Sequence, residues 1–276
     1  MKVKFWGARG SVAISRPDCQ HYGGNTTAVE VVSRSGCRAI IDAGTGIRDL
    51  GNSLLSNMPA KAHILFSHYH WDHIMGFPFF VPAFIPGNEF HIYGQKKGVL
   101  GVKKILENLM SPPNFPVPMG VMGAGLHFHD LDEEGSIWLG DDLKVSYGPL
   151  FHPNGVVGFR FESEGKIFTF LTDIEHESED EVAETALNLS CRSNIVAYDC
   201  QYTPEEYPSR RNWGHSTWEM GLKLVKEANA DALYMIHHDP SHNDAQIQSM
   251  LVDARVHAKP MNLKVEAVHE GMEIEL

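Results

Sequence analysis

The sequence predicts an α/β protein made of two β-sheets covered by helices. Three observations carry that prediction. Short apolar runs, rich in β-branched and aromatic residues and bounded by Gly, Asp or Pro, recur along the chain. Segments with apolar residues every three or four positions lie between some of them. The strand runs also cluster instead of alternating strictly with helices, which disfavours an all-parallel sheet. At 276 residues, of which 43% are hydrophobic, the chain can bury a sizeable core. With no linker, repeat or low-complexity tract, a single domain over residues 1–276 is expected.

The elements follow in order. The opening Met1-Lys-Val-Lys-Phe-Trp reads as a first strand, because no long apolar run and small-residue cleavage site follow it. Further strands are expected at 27–32, 38–42, 63–67, 89–93, 143–148, 158–161, 166–172, 194–199, 232–237 and 263–269. Helical spacing covers 46–57, 97–110, 178–189, 216–228 and 244–258. Ser216-Thr-Trp-Glu219 fits a capping box with Ser216 as N-cap. Pro240 and Asn243 bracket the start of the last helix. Residues 111–125 hold four prolines and no pattern. A segment that long is either a lid or binding loop, or a plain surface connection. The acidic run 177–184 reads as the solvated first half of a helix, favourable with its dipole.

Composition excludes several classes. Asp+Glu is 35 against Lys+Arg 23, a net charge of −12. A protein that wraps phosphate backbones carries the opposite sign. No stretch of about 18 apolar residues exists, so no membrane partner is expected. Cys19, Cys37, Cys191 and Cys200 form no C-x-x-C pair, which argues against a thiolate zinc cluster and fits a reducing cytoplasm. The chain has 16 histidines, and their positions point to chemistry.

The strand at 63–67 runs into His68-Tyr-His70-Trp-Asp72-His73, an H-x-H-x-D-H pattern with four candidate metal ligands in six residues. His68 and His70 can point to one side, while Asp72 and His73 reach a second position. Neutral imidazole and carboxylate are the usual ligands of zinc and its divalent neighbours.

This pattern after a strand resembles the signature of the metallo-β-lactamase superfamily of binuclear metal hydrolases. The opening Phe5-Trp-Gly-Ala-Arg-Gly-Ser11 and Gly23-Gly-Asn-Thr26 are similar to the N-terminal strands of its phosphodiesterase branch. That branch includes ribonuclease Z, the phosphonate-pathway cyclic phosphodiesterase and bacterial cyclic-nucleotide phosphodiesterases. The resemblance implies a four-layer αββα sandwich with the metals at one edge between the sheets. It also implies three more ligands at strand ends: His152, Asp173 and His237. His238 stays open as the alternative to His237, because a one-residue shift turns a side chain to the other face. One cation would then take His68, His70, His152 and a share of Asp173. The other would take Asp72, His73, His237 and the other share. Two divalent ions are implied, zinc first, with manganese, iron or cobalt tolerated by an all-N/O site.

Two further residues follow from the same resemblance. Gly214-His215-Ser216-Thr217 resembles the branch's His-Ser/Glu-Thr segment, which implies that His215 stabilises the charged transition state and protonates the leaving oxygen. Asp199 matches a position that is typically glutamate and would hold His215 in one tautomer. Asp72 would also orient the attacking water. His21, His63, His91, His127, His129, His176, His242, His257 and His269 have no motif context and read as surface or partly buried polar residues. Arg9 reads as a structural salt bridge more than a phosphate contact, and Arg210-Arg211 as a solvated loop or a phosphate grip.

The implied activity is metal-dependent hydrolysis of a small nucleotide phosphodiester, specifically a 3′,5′-cyclic nucleotide. The acidic net charge weighs against long nucleic acid. The alternatives are a tRNA 3′-processing endonuclease of the ribonuclease Z type, or a thioesterase or lactonase on the same scaffold. A homodimer is a further expectation, since a second subunit often completes the pocket in this branch.

Overall fold

Alternation of buried and solvent-side residues sets the architecture. In β5 (Glu89–Gln95), Phe90 and Ile92 bury on one face, while Glu89, His91 and Tyr93 take the other. That period of two is what a sheet covered by a helix on one face requires. The computed structural model describes residues 1–176 and 182–276. It contains two seven-stranded sheets. The first runs β14 (Glu273–Glu275), β1 (Lys2–Gly7), β2 (Ala28–Val32), β3 (Arg38–Ile41), β4 (Lys61–Leu65), β5 and β6 (Gly125–Leu131). The second runs β13 (Lys264–Ala267), β12 (Ala232–Ile236), β11 (Ile195–Asp199), β10 (Lys166–Leu171), β9 (Val156–Ser163), β8 (Leu143–Leu150) and β7 (Gly135–Leu139).

Each sheet is half antiparallel and half parallel. Strands β3 to β6 are parallel, as are β10 to β13. Parallel neighbours need crossovers, and helices supply them. α1 (Ile47–Leu54) and α3 (Val102–Leu109) serve the first sheet. α4 (Glu184–Ser190), α5 (Trp218–Glu227) and α6 (Asp244–Ala258) serve the second. The molecule is therefore a four-layer αββα sandwich. Phe5, Val31, Ile41 and Leu65 of one sheet meet Val145, Phe159, Phe161 and Phe168 of the other in the central layer. Each such buried side chain contributes about 1.5–3 kcal/mol. Ile40, Ile64, Phe90 and Ile92 pack under α1 and α3. Val196, Tyr198, Leu233 and Met235 pack under α4, α5 and α6.

The structure corrects several expectations. Strands β6, β7 and β14 were not anticipated. β6 interleaves His127, His129 and Asp130 with its apolar residues, so its alternation reads as polar, and β14 is only three residues long. The N-cap of α5 is Thr217, not Ser216. Its hydroxyl accepts from Met220 N at 3.4 Å, while Ser216 Oγ pairs with the Tyr198 hydroxyl at 2.7 Å. α6 does begin with a full capping box, between Asn243 and Gln246. The helix expected from residue 178 starts at Glu184 among the described residues, and 177–181 of the acidic run lie outside them. Met119 and Met122 of the irregular 111–125 segment bury with Phe90 and Ile92, so this stretch closes an outer core layer. Arg9 is fully buried and donates to the carbonyls of Gly23, Asp239 and His242 at 2.7–3.0 Å. It ties loops together through backbone oxygens, not through the expected salt bridge.

The parallel halves decide where function lies. The C-terminal ends of β3, β4, β10, β11 and β12 come out at one edge of the sandwich, and a chemistry-bearing residue follows or ends each of them. Open α/β sheets place ligands at such strand ends.

Candidate metal centre

The segment after β4 leaves the sheet, and His70 caps the short helix α2 (Trp71–Ile74). Its turn sends His68 and His70 to one side and Asp72 and His73 to the other. Asp173, just past β10, and His237, just past β12, complete the gathering. Both sit at positive φ, 53° and 65°, as does Asp42 after β3 at 60°. Non-glycine residues are rarely held there, and such strain concentrates at functional sites.

The structure brings all seven expected ligands into two groups that share Asp173. In the first, His68, His70 and His152 face Asp173 Oδ1. His68 Nε2 lies 3.8 Å from it and His152 Nε2 3.6 Å. In the second, Asp72, His73 and His237 face Asp173 Oδ2. His73 Nε2 lies 3.1 Å from it and His237 Nε2 3.2 Å. A carboxylate whose two oxygens serve two clusters is placed to bridge. His238, the alternative, points away and donates Nε2–H to the Val268 carbonyl at 2.8 Å.

Partners behind the imidazoles set their tautomers. Asp42 Oδ2 accepts from His73 Nδ1 at 2.8 Å, and Gln201 Oε1 from His237 Nδ1 at 2.8 Å. The Gly214 carbonyl accepts from His152 Nδ1 at 2.7 Å. Each bond leaves the Nε2 lone pair directed inward, which is the arrangement that second partners enforce in metal sites. His70 differs, presenting Nδ1 to His152 Nε2 at 3.1 Å. Asp42, Gln201 and Glu175 were not singled out in the sequence. Asp42 carried one readable signal, an acidic residue ending an apolar strand. Glu175 is buried and accepts from Tyr207 Oη, Asn212 N and Gly214 N at 2.8–3.0 Å, so it shapes the loop leading to His215. Gly214 sits at φ +87°, and a Cβ there would overlap His152 Nδ1.

Charge shows what the cluster lacks. Burial alone would lower the pKa of His237, but Asp173 and Asp72 outweigh it and lift the group to about 9. Burial likewise opposes a charge on His73, and Asp72 and Asp173 raise it well above the ordinary range. Burial would raise Asp72 and Asp173, yet the facing imidazoles hold both below it. Burial pushes His152 down to about 4. Two buried carboxylates thus call for positive charge at this point. His68 Nε2, moreover, is buried with no hydrogen-bond partner. An orphaned imidazole nitrogen aimed at a carboxylate, among further imidazoles gathered round Asp173, fits a divalent metal site.

His215 and Asp199 stand beside this cluster. His215 Nδ1 donates to Asp199 Oδ2 at 2.9 Å and lies 3.9 Å from Asp173 Oδ1. Asp199 is fully buried and also accepts from Asp173 N, Gln201 N and Ser216 N at 2.9–3.2 Å. With its acceptor sites so filled, Asp199 orients His215 more readily than it ligates, although it also belongs to a third group of close donors with Asp173, His215 and His237. An open cavity of about 440 Å³ lies over the site, lined by Ser11, Tyr69, His70, Trp71, Asp72, Asp173 and His215. Ser11 N donates to Asp72 Oδ2 at 2.7 Å. No residue of 111–125 lines that cavity. Arg210 lies over the rings of Tyr202 and Trp213, at 5.3 and 5.2 Å. A larger groove of about 880 Å³ runs past Lys2, Arg38 and Lys166 at the opposite ends of the strands and, among the described residues, gathers no ligating cluster. Among the described residues, no helix is long and apolar enough to cross a membrane.

Comparison with known proteins agrees with this geometry. A family model described as beta-lactamase superfamily domain matches residues 38–238. Ribonuclease Z of Oceanobacillus iheyensis is 24% identical over 243 residues, covering 70% of this chain and 76% of that protein. Among solved structures, the metallo-beta-lactamase fold protein YhfI from Bacillus subtilis superposes with a TM-score of 0.73 at 14% identity, covering 99% of both chains. A diphosphatase from the PhnP family gives 0.69 at 18% identity, covering 100% of this chain and 97% of that one. The matched residues run from β3 to the histidines after β12 and so take in the whole ligand cluster, and on that ground the chain belongs to the beta-lactamase superfamily, as a metal-dependent hydrolase.

Proposed function

We propose that the protein is a binuclear phosphodiesterase acting on a small nucleotide phosphodiester, most specifically a 3′,5′-cyclic nucleotide, with zinc as its first metal. The single observation that carries this reading is the His215–Asp199 pair set against Asp173 at the cavity floor. Hydrolysis of a phosphodiester needs a proton donor for the leaving oxygen beside the electrophilic centre.

His68, His70, His152 and Asp173 would hold one cation, and Asp72, His73, His237 and Asp173 the other. Two such cations supply Lewis acidity toward a phosphoryl oxygen and lower the pKa of a nucleophilic water. Asp72, its Oδ2 already fixed by Ser11 N, orients that water. As the new P–O bond forms and the 3′ P–O bond breaks, His215 Nε2 gives its proton to the departing oxygen. Asp199 keeps His215 Nδ1–H occupied, so the proton-donating form carries its charge beside a carboxylate and the transfer leaves His215 neutral with its Nδ1–H still held. The net charge of −12 favours a small substrate over RNA.

Zinc- or manganese-loaded protein incubated with cyclic AMP, cyclic GMP and bis(p-nitrophenyl) phosphate is expected to release the monoester, read by chromatography. His215→Ala should lower the rate about 10²–10⁴-fold with metal content unchanged. Loaded protein that leaves every diester intact overturns the reading. Likeness to ribonuclease Z supports a second reading, tRNA 3′ processing. Cleavage of precursor tRNA with inert cyclic nucleotides would select it. Ester or lactone hydrolysis untouched by His215→Ala would select a non-phosphate hydrolase.

A further inference from the structure

Four of the histidines without motif context come together on the first sheet, away from the metal centre. Strands β4, β5 and β6 are parallel and in register, so His63 pairs with His91 and His91 with His127 along one rung. The next rung pairs Tyr93 with His129. All lie on the face turned toward the second sheet, opposite Phe90 and Ile92. Strand spacing stacks their rings: His63 on His91 at 5.2 Å and His91 on His127 at 4.7 Å, both within 26° of coplanar. Stacked imidazoles depress one another's charge, and His63, half-buried in this stack, falls to about 4, burial first and then His91 and His129.

One more rung supplies an anion and a gap. Glu89 pairs with Gly125 across β5 and β6. A Cβ on residue 125 would meet His127 Nε2 at 3.5 Å and Glu89 Cγ at 4.0 Å, so the open position above Gly125 is flanked by both. His91 Nε2 enters the same space, 3.1 Å from Glu89 Oε1. The donor atoms of Glu89, His91 and His127 all lie within 4.8 Å of one another. His91 Nδ1 is 3.1 Å from His129 Nε2. With the proton on His91 Nδ1 and His129 accepting it, the Nε2 lone pair of His91 faces the gap. That is the support a ligating histidine normally receives from behind. Lys61 holds the other Glu89 oxygen at 3.0 Å, leaving Oε1 for the gap.

We propose that Glu89, His91 and His127 form a further binding site for one divalent first-row transition ion, above Gly125 and separate from the metal centre. Two imidazoles and a carboxylate make a three-donor set that suits zinc, nickel or copper, with solvent completing the shell because His127 is exposed. Binding there would cross-link β5 to β6 and stabilise the folded chain. The assignment does not depend on what the enzyme hydrolyses.

The test uses untagged protein with its metal centre zinc-loaded, titrated with additional Zn²⁺ by calorimetry and checked by elemental analysis after dialysis. Wild type should take up one more equivalent per chain than the His91→Gln/His127→Gln variant, and its melting temperature should rise with zinc where that of the variant does not. Gly125→Val keeps every ligand but fills the gap, and should weaken the extra equivalent at least about tenfold. His129→Gln should weaken it about 10–100-fold. Phosphodiester hydrolysis should be equal in all four proteins. Wild type that takes up no extra equivalent, or variants that retain it undiminished, would overturn the site.

Discussion

Asp42 shows how a single residue outside the ligand set controls the site. Its carboxylate is fully buried and accepts from His73 Nδ1, Ser67 N and Ser67 Oγ at 2.7–2.8 Å. It therefore fixes both the tautomer of His73 and the turn that carries His68. Asp42→Ala is expected to weaken metal binding about 10–100-fold, measured by chelator competition. It should also destabilise the fold by about 1–3 kcal/mol, because the buried donors lose their partner. An unchanged metal affinity would mean that His73 is oriented by packing alone. The sequence made His68, His70, Asp72 and His73 legible because four ligand types fall within six residues. Asp42 and Gln201 stayed hidden, since an isolated carboxylate or amide at a strand end has no local pattern. Choosing His237 over His238 needed the curl at φ +65°, a backbone feature that no side-chain alternation reveals.

At the scale of elements, apolar runs located the strands whose side chains bury on at least one face. Strands β6, β7 and β14 escaped because polar residues or short length mask their period of two. Helix ends followed the same division. Ser216 and Thr217 both qualify as N-caps by type, and Tyr198 decided between them by engaging the Ser216 hydroxyl. Asn243 had no such competitor. Its side chain accepts from Gln246 N at 3.0 Å, and the Gln246 side chain accepts from Asn243 N at 2.9 Å. Asn243→Ala should cost about 1 kcal/mol, read as a lower urea midpoint, with hydrolysis unaffected because α6 lies behind the second sheet. A loss of activity at full stability would show that α6 positions the Arg9 carbonyl anchors at Asp239 and His242 instead.

At the scale of the whole molecule, stability depends on pH through a buried histidine outside the candidate ligand set. His176 accepts from Ala183 N at 3.2 Å and reaches the Tyr198 hydroxyl at 2.6 Å, which in turn contacts Ser216. This chain of bonds joins α4, β11 and the start of α5. Burial first, then Lys223, holds His176 at about 4. In the unfolded chain it titrates near about 6.5. Between those values the unfolded state binds the extra proton, so stability is complete above about pH 6.5 and declines as pH falls toward 4. The decline is on the order of 3 kcal/mol. Urea melts of His176→Gln should show a shallower loss over that window than wild type, and parallel slopes would remove His176 as the cause. By itself, the sequence determined the class of fold, the H-x-H-x-D-H half of the centre and the acid character of the surface, because each is written in short-range pattern or in composition. The resemblance implied a shared Asp173 and an Asp199 behind His215; only tertiary structure decided which oxygen of Asp173 faces each cluster and that four histidines without motif context share neighbouring rungs. Those facts depend on strand register and on backbone curls at strand ends, which join residues on different elements and leave no trace in local spacing.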